Sequence, residues 1–200
     1  MYSKISKKLT SWLVNLDVIE SENSEVYEYG FELIFSLIFS TLIIIAISFL
    51  MNKFIETLLY LIGFFSIRAI CGGYHAKHHY SCFAITMSSY FLFLFLLYCP
   101  FIFSHLNPII FFSTIASITI ILAFSPIEHP DNPMTEYRKK RCRFLSIILS
   151  FILSIFSFVF LLKNPALSVF FSYTTGTFFA SFAILAAKIE LIILKRKEKE

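Results

Sequence analysis

An all-α, polytopic membrane bundle of about six transmembrane helices, preceded by an N-terminal amphipathic helix, is the fold that this 200-residue sequence predicts. Composition is the first reason. Hydrophobic residues make up 58% and charged residues 15%, with 26 Phe, 10 Tyr and a mean hydropathy of +0.77, which is more apolar surface than a soluble domain of this size can hide. The second is that the apolar residues come in long blocks, whereas the strands of a membrane β-barrel would alternate. The third is that the basic residues gather at block ends, where they suit lipid headgroups better than a nucleic-acid surface.

The first 30 residues are read as a cytoplasmic amphipathic helix and linker. Ile5, Leu9, Trp12, Leu13 and Leu16 recur at helical spacing, while Lys4, Lys7, Lys8, Ser11 and Asn15 fall elsewhere on the wheel. The stripe fits lipid or the protein body equally well. Lys4, Lys7, Lys8 and the acidic residues Asp17, Glu20, Glu22, Glu25 and Glu28 precede the first apolar run, an order that does not fit a secretory signal, so this stretch is expected in the mature protein.

Residues 31–187 form the transmembrane domain, with apolar segments at 33–51, 54–67, 83–103, 109–124, 144–162 and 166–187. The second segment rises only ~21 Å as a helix, against a hydrocarbon core of ~30 Å, so it must borrow flanking residues, thin the bilayer or stop partway. Pro100 predicts a kink within the third. The run Ser104-His105-Leu106-Asn107-Pro108 predicts a turn, with Asn107 as N-cap and Pro108 at the first helical position. In the last segment Gly176, Ala180, Ala183 and Ala187 form a small-residue stripe, which lets helices approach closely within one chain or across a homodimer. Residues 188–200 are a charged cytoplasmic tail.

Orientation follows from the Lys and Arg residues. Lys4, Lys7, Lys8, Arg68, Lys77, Arg138, Lys139, Lys140, Arg141, Arg143, Lys188, Lys195, Arg196, Lys197 and Lys199 fall on one side of a six-span arrangement, and only Lys53 and Lys163 on the other. The positive-inside rule then makes this a multi-pass cell-membrane protein with both termini cytoplasmic.

Chemistry concentrates between the second and third segments. The stretch from Arg68 to Cys82 reads RAICGGYHAKHHYSC and holds three of the five histidines and two of the four cysteines. A glycine pair frees the backbone and exposes N–H groups, and a cysteine near an imidazole at a membrane surface makes a nucleophile and base. Gly72 and Gly73 read as oxyanion donors or as a hinge, and Arg68 as a snorkelling cation or as a group that holds the loop or a substrate carbonyl. Seven residues of straight helix would separate His75 from Cys82 by ~10.5 Å, so the chain must bend between them or the pair must act across two chains. In a continuous helix His78 and His79 would be the better-placed bases. The same histidines could hold a divalent metal, but the segment has no carboxylate to activate water, so neither a metal nor another cofactor is expected. The four cysteines lack C-x-x-C spacing and are read as free thiols.

Arg68, Gly72-Gly73, His75-Ala76 and Cys82, with the later Ser125-Pro126-Ile127-Glu128-His129-Pro130-Asp131-Asn132-Pro133-Met134 and its trailing basic run, resemble the accessory gene regulator B (AgrB) family. These are bacterial membrane cysteine endopeptidases that process quorum-sensing propeptides. The resemblance implies that Cys82 is the nucleophile and His75 its general base. It further implies an AgrD-like propeptide substrate cleaved through a thioester, with cyclisation to a thiolactone or lactone autoinducing peptide. Glu128, Asp131, Asn132 and Glu136 share the predicted face as third members of the site. The resemblance also implies an acidic substrate tail, which Arg138, Lys139 and Lys140 could bind. Two readings from other classes remain open: a non-catalytic membrane binding or transport subunit, and a metal-dependent membrane hydrolase using the histidines.

Overall fold

The computed structural model describes residues 2–71, 79–127, 135–163 and 167–197, and among them the regular elements are helical and no strand occurs. In order these are α1 (Tyr2–Asn15), α2 (Ser24–Leu50), α3 (Phe54–Cys71), α4 (His79–Leu97), α5 (Pro100–Ser104), α6 (Leu106–Phe124), α7 (Glu136–Lys163) and α8 (Leu167–Lys197). A 3-10 turn at Ser21–Asn23 leads into α2. The protein is an all-α membrane bundle. Among the described residues four stretches are long and apolar enough to cross a bilayer unaided: Ser21–Leu50, Phe54–Cys71, Leu106–Phe124 and Ser168–Ile193. A fifth apolar helix, Phe83–Leu97, is shorter.

Helix α3 is longer than its apolar run. It continues through Arg68 to Cys71, and its 18 residues rise ~27 Å, within about a turn of the hydrocarbon thickness. Two predicted boundaries differ from the structure. Pro100 does not kink a continuous third span but opens the separate helix α5, with Cys99 extended at its N-cap. A proline cannot donate the hydrogen bond that would continue α4, and it pushes the preceding residue out of helical backbone. Helix α6 begins at Leu106 with His105 as N-cap, so neither Asn107 nor Pro108 takes its predicted place. Pro108 is tolerated at the third helical position because the first turn's N–H groups have no intrahelical partner to lose.

The long helices alternate in direction. At one end the α2–α3 hairpin turns through Asn52, whose φ is 52°, and Tyr98 at the close of α4 donates its hydroxyl to the Met51 carbonyl at 3.3 Å. Lys53 lies at this end, 6.0 Å from the centre of the Tyr98 ring. The opposite end gathers the close of α3, the close of α6 and the start of α7, where the Ile127 N–H reaches the Cys71 carbonyl at 3.2 Å. Helix α8 returns along α3 and α6, and near its start Phe170 and Tyr173 meet the Phe156 ring of α7 at 4.7 and 4.8 Å.

Polarity is inverted relative to a soluble protein. Leu50 is 82% exposed and Phe95 69%, whereas Ser36, Ser40, Ser48, Thr57, Ser146 and Thr177 are buried. Several of these hydroxyls are satisfied by a carbonyl of the preceding turn, as Ser40 is by Ser36 at 2.8 Å, so the residues act as small packing units. The tightest crossing is α3 on α8. A Cβ added at Gly63 would stand 2.5 Å from the Tyr173 carbonyl oxygen, and one at Gly176 would overlap the Tyr60 carbonyl. Beside this crossing Tyr60 stacks on Phe93 at 4.5 Å, and its hydroxyl donates to Ser89 at 3.0 Å.

Gly176 therefore meets α3 of its own chain, and Ala180 and Ala187 are buried with it. The small-residue stripe serves an intramolecular contact. Helix α1 resolves the open question of its apolar stripe by dividing it. Ser6 and Thr10 are buried, and the Ser6 hydroxyl donates to Glu32 of α2 at 3.3 Å. Leu9 and Leu13 are half-buried, while Ile5, Trp12 and Leu16 are exposed.

Candidate active site

Of the candidate residues, Arg68 and the Cys82 backbone lie at the end of the bundle where α3 closes and α4 opens. Cys82 lies in the first turn of α4, which starts at His79. For His79–Cys82 the structure gives the backbone path alone. His75, Gly72, Gly73 and His78 lie outside the described residues, as do Glu128, Asp131 and Asn132. Helix α3 is described to Cys71 and α4 from His79, so of the interval from His75 to Cys82 the structure gives the backbone of the last four residues. His79 stands three residues before Cys82 on α4.

Arg68 sits in the last turn of α3, its guanidinium carbon 5.6 Å from the centre of the Phe64 ring. It borders a pocket of ≈ 80 Å³ to which α2 contributes Ser36 and Ser40, α3 Phe64, and α4 Phe83 and Thr86. Phe83 follows Cys82 directly, and Thr86 stands one helical turn beyond it.

Sequence reasoning missed a buried polar junction beneath this region. Ser146 of α7 lies 3.4 Å from the Cys71 thiol and 2.6 Å from the Ser125 hydroxyl, and its own hydroxyl donates to the Cys142 carbonyl at 2.8 Å. A hydroxyl has one proton, so with Ser146 donating to Cys142 the other two contacts have Cys71 and Ser125 as donors. Arg143 donates from Nη1 to the Ser125 carbonyl at 2.6 Å. The junction thus binds α3, the close of α6 and α7 just where the segments 72–78 and 128–134 depart. Cys71, Ser125 and Arg143 each stand in a stretch that the sequence singles out, but no pattern there joins them to one another or to Ser146.

The remainder of the basic run faces outward. Thr135 caps α7 by accepting the Arg138 N–H at 3.3 Å, and Arg138, Lys140 and Arg141 are exposed, with Lys139 half-buried. Glu136 is exposed at the first position of α7. His105 lies at the far end, bonded through Nδ1 to Ser104 at 2.8 Å, away from this chemistry. Cys71, Cys99 and Cys142 are free thiols. Among the described residues no three His, Cys, Asp or Glu residues group as metal ligands.

The sequence profile described as accessory gene regulator B matches residues 4–192. The chain belongs to the accessory gene regulator B family. It is 27% identical over 171 residues to an accessory gene regulator protein B of Staphylococcus carnosus (strain TM300), an overlap covering 82% of this chain and 85% of that relative. No solved structure matches the chain. The accessory gene regulator B profile extends over both the Arg68–Cys82 region and the proline-containing stretch that follows α6.

Proposed function

We propose that this protein is a membrane cysteine endopeptidase that cleaves a small quorum-sensing propeptide through an acyl-enzyme on Cys82. The observation that carries this reading is the position of Cys82. It stands in the first turn of a helix, after the Gly72-Gly73-Tyr74-His75 sequence, at the same bundle end as Arg68. The amino end of a helix favours negative charge, so the position suits a thiolate. His75 takes the thiol proton as Sγ attacks the scissile carbonyl. The C–N bond then breaks, the leaving amine receives that proton, and the retained peptide remains as a thioester. A thiol or hydroxyl side chain of the same peptide then attacks the thioester, its proton passing to His75, and the C–S bond to Cys82 breaks, closing a thiolactone or lactone and regenerating the thiolate. A thioester keeps its acyl-transfer potential, and a site with restricted water favours intramolecular attack over hydrolysis. Arg68 holds the substrate carbonyl, and Gly72 and Gly73 supply N–H groups to the oxyanion.

Co-expression with a tagged propeptide tests the reading. Cys82→Ala and His75→Ala abolish cleavage, while Cys71→Ala, Cys99→Ala and Cys142→Ala retain much of it. Wild-type-like cleavage by Cys82→Ala would sink the mechanism and favour a binding or transport subunit. Normal cleavage by His75→Ala together with loss in His79→Ala would move the base onto α4. Inhibition by chelators with resistance to thiol reagents would indicate a metal-dependent hydrolase.

A further inference from the structure

We propose that the pocket between α2, α3 and α4 is the acyl-side specificity pocket: it holds the aliphatic side chain of the substrate residue whose carbonyl Cys82 attacks. The inference rests on Cys82 as nucleophile and adds to it the class of residue accepted. Three features of the pocket select the occupant.

Position comes first. The α4 residues lining the pocket are Phe83, immediately after Cys82, and Thr86, one turn further along. In an acyl-enzyme the side chain of the acyl residue branches from the Cα bonded to the attacked carbonyl carbon, so apolar space lined by the next residues of α4 is the candidate to receive it. On the α3 side the lining ends at Arg68, four residues before Gly72.

The lining sets the chemistry. Phe64, Phe83 and neighbouring leucines of α2 supply apolar surface, and the room between them exists because α2 places Ser36 and Ser40 there. Ser36 is 5% exposed and Ser40 4%, and the Ser40 hydroxyl is engaged with carbonyls of its own helix at 2.8 and 3.0 Å. Among the described lining residues Arg68 alone is charged, and its guanidinium can donate to a carbonyl oxygen.

Size narrows the class further. A dry cavity of about 150 Å³ accepts a benzene ring. At ≈ 80 Å³ this pocket suits a branched or unbranched aliphatic group such as that of leucine and disfavours an aromatic ring.

The experiment uses the full-length protein in detergent and three alkylating probes: N-acetyl-leucyl, N-acetyl-glycyl and N-acetyl-phenylalanyl chloromethyl ketone. Rates of alkylation at Cys82 are followed by peptide mass spectrometry, with Cys99 as reference thiol. The leucyl probe reacts at Cys82 more than tenfold faster than the glycyl probe, since one methylene in an apolar pocket already discriminates by roughly 10–200-fold, and it also outpaces the phenylalanyl probe. Ser36→Leu and Thr86→Leu, which fill the pocket from two different helices, each lower the leucyl rate about tenfold. Both leave the glycyl and iodoacetamide rates at Cys82 unchanged, which shows that the site remains assembled. A leucyl-to-glycyl ratio at Cys82 equal to that at Cys99, as a lipid-filled pocket would give, overturns the proposal. So does a ratio that neither filling variant alters. Alkylation of Cys82 no faster than of Cys99 by every probe overturns instead the assignment of the nucleophile.

Discussion

At the residue scale, hydroxyl groups that look equivalent in the sequence have very different duties. Ser150 of α7 is buried and donates only to the Ser146 carbonyl, at 2.9 Å, whose helical partner would remain if that hydroxyl were lost. Ser146 is the acceptor for Ser125 and Cys71, at 2.6 and 3.4 Å. Ser146→Ala removes the acceptor from two buried donors, at a cost of about 1–3 kcal/mol for each strong donor left unpaired, and Ser150→Ala is close to neutral. Thermal unfolding of the two variants in detergent checks this, and equal midpoints would mean that the junction contributes nothing. Its participation also explains why Cys71 is a poor rival to Cys82: it is fully buried and its S–H is directed to a serine oxygen. None of this was legible in the sequence. Ser125, Arg143 and Ser146 come together only when α6 and α7 pack against the close of α3, and a lone serine in an apolar helix has no pattern to mark it.

At the element scale, apolar block length located the bundle's helices, because a bilayer demands continuous apolar surface and intrahelical backbone hydrogen bonds. Helix ends were harder to read. Helices α7 and α8 run past their apolar blocks into the charged residues Glu136–Arg143 and Lys188–Lys197, since lysine, arginine and glutamate are good helix formers once outside the hydrocarbon. The Gly176 stripe was legible as a packing face, yet only the fold identifies its partner as α3. The clash at Gly176 is with the backbone carbonyl of Tyr60, which no side-chain rotation can relieve. Gly176→Ala therefore loses on the order of 1–3 kcal/mol through overpacking, whereas Ala186→Leu, on the exposed side of the same helix, is neutral. Unfolding in detergent separates the two, and a stable Gly176→Ala protein would show that α3 and α8 can part at little cost.

At the scale of the whole molecule, basic residues of the described helices sort between the two ends of the bundle. Arg68, the α7 run and the close of α8 lie at the Cys71 end, with Lys53 at the other, and the positive-inside rule would turn the Cys71 end toward the cytoplasm. The α7 run is not there to stabilise its helix. Arg138 and Lys139 stand at the first turn, where the helix dipole disfavours cations, so the run gains nothing from the dipole and its clustering has another cause. One cause is anionic lipid, worth about 1 kcal/mol per basic residue near the surface. The other, if the proposed function holds, is an acidic substrate tail, for which the exposed Arg138, Lys140 and Arg141 at the same end as the Cys82 backbone are placed. Replacing Arg138, Lys139 and Lys140 together with Gln leaves insertion intact, because Arg68 and the α8 residues still mark that end, but weakens processing about tenfold, as loss of roughly 1.4 kcal/mol of binding requires. Neutralising the acidic residues of the propeptide tail produces a similar loss in the wild-type enzyme and little further loss in the triple variant. The four combinations are compared by cleavage in cells, with protease accessibility of both termini as the topology control. Losses that simply add across the set would mean that run and tail do not meet, and would leave the run to anionic lipid.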